Sequence, residues 1–209
     1  MSATDERARE MRTAATDFAK ALLQAEDISD AWYRCQSLAA VARYAPEEQI
    51  IRVATKALAA AAEAGDAYKR VAAAAWPVRA LAERGKVQSA ERLIPSLLEG
   101  TAQIEHPVSK MIALGFLWHA TFPLPPRVKQ PILDTLLSAC QVTNSWKAGR
   151  MMRDVALVVA SEDRPQAIRI VNSMRESIYK RHAQKGMEAD EIQTVCWRFP
   201  IPRFDTRCE

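Results

Sequence analysis

Four basic residues recur at matched spacing: Arg34, Arg70, Lys110 and Arg150 lie 36, 40 and 40 residues apart. Three of them follow an aromatic within a helical turn or so, namely Trp32, Tyr68 and Trp146. Cations held in a row can grip carboxylates or phosphates, and an aromatic beside a cation can stack on a peptide side chain or a base. The same residue types also have plainer uses. Each cation can pair with a carboxylate of a neighbouring repeat, and aromatics at helical spacing usually pack in a core. Spacing alone leaves both uses open.

The other reactive residues form no catalytic pattern. Cys35, Cys140, Cys196 and Cys208 are scattered, without a C-x-x-C pair, and His106, His119 and His182 do not complete a zinc set. His119 follows Trp118 in an apolar stretch, with no triad partner at a telling distance. No phosphate loop, dinucleotide fingerprint, nucleophile elbow or H-E-x-x-H is present. Asp154, eight residues past Trp146, is the one carboxylate of its segment near an aromatic. The sequence assigns no catalytic residue, no metal and no cofactor.

What must position the cations is a repeated helix start. Asp30-Ala-Trp-Tyr-Arg34 returns as Asp66-Ala-Tyr-Lys-Arg70, then as His106-Pro-Val-Ser-Lys110, and more loosely as Asn144-Ser-Trp-Lys-Ala-Gly-Arg150. After each start comes an apolar run at 3/4 spacing (the A helix), a break, and a second run (the B helix). The second runs keep the same period: Leu58, Leu98 and Leu137 are 40 and 39 residues apart. Pro46, Pro126 and Pro165 open them. Two matching periods of this size predict stacked helix pairs. Only six glycines occur, and alternating β-branched runs are missing, so little material exists for a sheet.

The expected organisation is an N-terminal capping helix within 1–28, running from Asp5 to Glu26. Helix pairs follow over 29–65, 66–105, 106–143 and 144–185, about nine helices in all. Ser29 or Asp30, Asp66, and Asn144 or Ser145 serve as N-caps. Gly65, Gly85 and Gly100 stop helices. Ile50, Ile51, Ala54, Ala57 and Leu58 point inward, Pro77 kinks the second A helix, and one helix covers Arg164 to Ala183. The aromatic, proline-containing tail, 186–209, carries Trp197, Phe199 and Phe204. It either folds back as a cap over Ile168, Val171, Met174 and Ile178, or recognises a partner.

These starts and this period resemble tetratricopeptide-like and HEAT-like α-solenoid repeats, over about 29–183. The resemblance implies an all-α right-handed solenoid of about four helix pairs. It also implies a non-catalytic scaffold that binds a protein or peptide in a repeat-lined groove. Trp32, Arg34, Tyr68, Arg70, Lys110, Trp146 and Arg150 would line that groove, and an acidic partner would suit them. The alternative is a HEAT-like nucleic-acid binder or DNA-repair glycosylase, for which Asp154 would be the carboxylate to examine. Self-association is compatible with either. The net charge of +4 and pI near 9.0 permit an anionic partner without requiring one. A charged start without an apolar h-region, and no long apolar run, predict a cytoplasmic chain that does not enter a membrane.

Overall fold

The computed structural model describes Thr13 and residues 16–188. Within them the chain is all-helical, with no strand. Ten α-helices follow one another: α1 (Phe18–Glu26), α2 (Ala31–Tyr44), α3 (Ile50–Glu63), α4 (Ala67–Glu83) and α5 (Val87–Ala102), then α6 (Pro107–Ala120), α7 (Pro126–Val142), α8 (Trp146–Ala160), α9 (Arg164–Ser173) and α10 (Ile178–Glu188). A 3-10 turn, Glu47–Gln49, leads into α3. No described helix is long and apolar enough to cross a membrane.

The helix starts are local chemistry. The carboxylates of Asp30 and Asp66 accept from the backbone N–H three residues on, at 3.1 and 2.8 Å. Nδ1 of His106 takes the same role toward Ser109 at 3.3 Å, and Ser145 caps α8 through Lys147. Each cap satisfies an N–H that has no partner inside its own helix. Gly65 and Gly85 follow helix ends with φ of +29° and +68°, a region in which a Cβ is strained.

Alternate helices form one continuous row: α2 packs on α4, α4 on α6, α6 on α8 and α8 on α10. Each of α3, α5, α7 and α9 lies on the row helix before it. Ten of the 17 residues of α4 are buried against three of 16 in α5, so the row is the inside of the molecule. Alanine makes this tolerable. Ala72, Ala73, Ala74 and Ala75 are all buried, because α4 is approached by helices from several sides.

Polar contacts between successive pairs repeat the sequence period. Arg43 pairs with Glu83, and Arg84 donates to the carbonyls of Arg43 and Ala45 at 2.8 and 2.9 Å. Lys86 pairs with Glu47, and Arg79 donates to the His119 carbonyl at 3.2 Å. These partners are 39 to 41 residues apart, one repeat length. They cluster where α2, α4 and α6 end and the following helices begin.

The structure departs from the sequence-based expectations in several places. Asp17 is non-helical and caps α1, so Asp5–Glu26 is not a single helix. Ile51 is 51% exposed rather than inward; Ile50 alone takes the buried register at that turn. Gly100 does not stop α5 but lies inside it, where a Cβ would come 3.1 Å from Val71 Cγ2, so close packing on α4 explains it. Pro77 stands inside α4 as expected, and the helix continues past it. The carbonyl it strands four residues back, on Ala73, accepts instead from the Cys35 thiol at 3.3 Å.

The largest departure is at 164–183, where α9 ends and Met174 turns extended at ψ 142°. The Ser177 hydroxyl then accepts from Lys180 N–H at 3.3 Å at the start of α10. Val171 and Met174 are buried, while Ile168 and Ile178 are exposed. Among the described residues alone there are ten helices, where about nine were expected for the chain. Trp197, Phe199 and Phe204 lie outside the described residues.

Candidate functional site

The repeated motif places Arg34, Arg70, Lys110 and Arg150 near the N-terminal ends of α2, α4, α6 and α8, along one edge of the helix row. They do not form a free ladder. Arg34 donates from Nη1 to the carbonyls of Ile28 and Ser29 at 2.8 and 3.0 Å, and its Nη2 pairs with Glu63. Arg70 donates to the Gly65 carbonyl at 2.6 Å. These carbonyls belong to the turn entering the same helix, where helical partners run out. The first two cations are thus turn braces. Among the described residues, Lys110 and Arg150 make no side-chain hydrogen bond or ion pair, although the charge of Arg150 bears on Asp154.

The aromatics divide in the same way. Trp32 and Tyr68 are half-buried and packed against the core. Trp146 is 56% exposed. It stands on the rim of a groove of about 420 Å³ between the end of α7, the start of α8 and the α9–α10 turn. The floor includes Ala148, Gly149 and Met152, and one wall is Tyr179. Gly149 lets the ring come close, since a Cβ would stand 2.9 Å from Tyr179 Cδ2 and the ring would have to shift. The Arg153 guanidinium lies over the Tyr179 ring, 5.9 Å from its centroid, and is not part of the groove lining.

Two residues of this groove, Arg175 and Tyr179, went unnoticed in the sequence, and Lys147 stands beside its rim. Arg175 donates to Asn144 Oδ1 at 3.2 Å and to the Gln141 carbonyl at 3.4 Å, fixing the α9–α10 turn to the end of α7. Lys147 holds its ammonium 6.0 Å from the Trp146 ring centroid. Tyr179 was buried inside an expected long helix. Its position is set by the break at Met174, which no glycine or proline announces.

Other groups have settled roles. Asp154 is 2% exposed, pairs with Arg153, and does not line the groove. Burial raises its carboxyl pKa, and the neighbouring guanidiniums of Arg153 and Arg150 oppose that rise. His119 lies at the far end of α6, where burial and then the Arg79 charge push its imidazole down to about 3. The Cys35 and Cys140 thiols are buried, and burial raises both, Cys140 to about 12. Among the described residues no cluster of three or more His, Cys, Asp or Glu could hold a metal.

A second depression, of about 240 Å³, lies between α3, α4 and α5 and is lined by Leu93, Leu97 and Arg70. The Trp146 groove is larger, and its aromatic is open to solvent. No family model matches the chain, and no match is found among curated proteins or solved structures.

Proposed function

We propose that this chain is a non-catalytic scaffold, a right-handed α-solenoid of the tetratricopeptide-like or HEAT-like kind, that binds a protein or peptide partner. The architecture part rests on the helix row and on polar contacts recurring one repeat length apart. The binding part rests on one observation: the edge formed by the N-termini of the row helices ends in a groove with a solvent-open tryptophan. Large exposed aromatics in such settings serve as interface anchors. Two buried free thiols suit a reducing compartment such as the cytoplasm.

The competing class is a nucleic-acid binder or repair enzyme. Asp154, the carboxylate such an enzyme would use, is buried and paired with Arg153, which favours the scaffold. Affinity capture with the intact chain at physiological salt, with and without nuclease, tests the choice. Nuclease-resistant recovery of one stoichiometric protein is expected. Recovery of nucleic acid alone, released steeply by salt, would replace the scaffold with the competing class.

A further inference from the structure

We infer that the groove between α7, α8 and α10 docks a short acidic peptide segment through one large apolar side chain. This rests on the scaffold reading and names the chemistry of its partner.

Three observations converge on the groove. Trp146 on its rim is 56% exposed, and Val142 and Ile178, next in sequence to the lining residues Gln141 and Tyr179, are 77% and 52% exposed. A clustered apolar patch around a concavity marks an interaction site, whereas scattered ones do not. The wall and floor, Tyr179, Met152 and Ala148, are apolar and accept a hydrocarbon or aromatic anchor. Methionine adapts to anchors of different shape.

Charge selects what surrounds that anchor. Arg175 and Lys147 have no carboxylate partner among the described residues. The one acidic side chain of the lining, Glu176, is neutralised by Lys180 at 2.5 Å. Arg153, over the Tyr179 ring, is matched by Asp154. The net field at the mouth is therefore positive and complements carboxylates flanking the anchor. A nucleic-acid strand would need a long cationic track, and two of the four cations along this edge are spent: Arg34 and Arg70 hold turn carbonyls, leaving Lys110 and Arg150.

The test uses the intact chain and fluorescein-labelled nine-residue peptides with a central Leu, Phe or Trp between Asp/Glu pairs. Controls replace the acids by Ser, or the anchor by Gly. Fluorescence anisotropy at low and physiological salt should show saturable binding of the acidic, anchored peptides. Loss of either feature should weaken it by about tenfold or more, the usual effect at an interface hot spot. Trp146→Ala should cause a similar loss, and Lys147→Glu a smaller one that fades with salt. Trp146 is exposed and Lys147 half-buried without a carboxylate partner among the described residues, so circular dichroism melts should change little.

No binding, binding that ignores the acids, or full affinity in Trp146→Ala would overturn the inference. So would tighter binding of labelled oligothymidylate that competes with the peptide. If a partner recovered by affinity capture still binds both variants at full strength, the scaffold stands and this groove is not its site.

Discussion

The two edges of the helix row treat the same kind of residue in opposite ways. Where α2, α4 and α6 end, arginines and lysines are consumed by the fold: Arg43 and Arg79 share Glu83, Arg84 holds two carbonyls, and Lys86 holds Glu47. Where the row helices begin, the first two repeats do likewise with Arg34 and Arg70, but the groove at α8 and α10 leaves Trp146 and Arg175 exposed. The lesson is that a repeated position need not keep one job. A cation braces where an orphan carbonyl lies within reach, and becomes available where the turn is built differently.

Acid should strike the braced edge hardest. His119 is held neutral, with its pKa depressed to about 3, while an unfolded histidine titrates near 6.5. The unfolded chain therefore binds the extra proton first. The stability that His119 contributes is complete above about pH 6.5 and falls as the pH drops toward about 3, by about 1.4 kcal/mol per pH unit over the steep part. Glu47, lowered by its hydrogen bond to Lys86, works in the same direction. Asp154 works in the opposite one, since its raised pKa makes protonation easier in the fold. Denaturant titrations at pH 7 and pH 4.5 should show the loss, and His119→Leu should flatten it. An unchanged slope in that variant would place the acid sensitivity elsewhere.

Arg34→Ala should come next, lowering stability by about 1–3 kcal/mol because two turn carbonyls and Glu63 lose their donor. Urea unfolding measures it. A neutral result would make Arg34 as available as the groove cations and erase the contrast between early and late repeats.

Gly149→Ala should have a smaller and mixed effect, the methyl pressing on Tyr179 while helix propensity improves by about 1 kcal/mol. Its clearer signature is a changed Tyr179 ring environment by NMR. Trp146→Ala should be smallest of all for folding, within about 0.5 kcal/mol, since more than half of that residue already faces water. A large loss of stability there would mean that the groove aromatic is a strut after all.

Much of the helical frame was legible because its signals are short-range. Asp30, Asp66 and Ser145 cap through the third or second N–H ahead, and Gly65 and Gly85 take positive φ. The groove was not legible, because it depends on a break at Met174 within a run that reads as one helix. That break is set by tertiary contacts, with Met174 buried in the core and Arg175 reaching back to α7. Likewise, nothing local distinguishes Gly100, tucked against Val71, from a glycine that ends a helix. Arg34 and Arg70 were found by their spacing, but spacing cannot show which way a guanidinium turns.

The thiol of Cys35 on the Ala73 carbonyl has a consequence for how the molecule opens. With Pro77 in its middle, α4 lacks one rung of its own and is a poor helix in isolation. Its missing partner is supplied by α2, 38 residues earlier. The two helices should then separate from solvent protection together, and slow amide exchange in the middle of α4 should collapse to the rate of α2 rather than follow its own. Replacing Cys35 by Val would uncouple them, letting the α4 amides around Ala73 exchange ahead of those in α2.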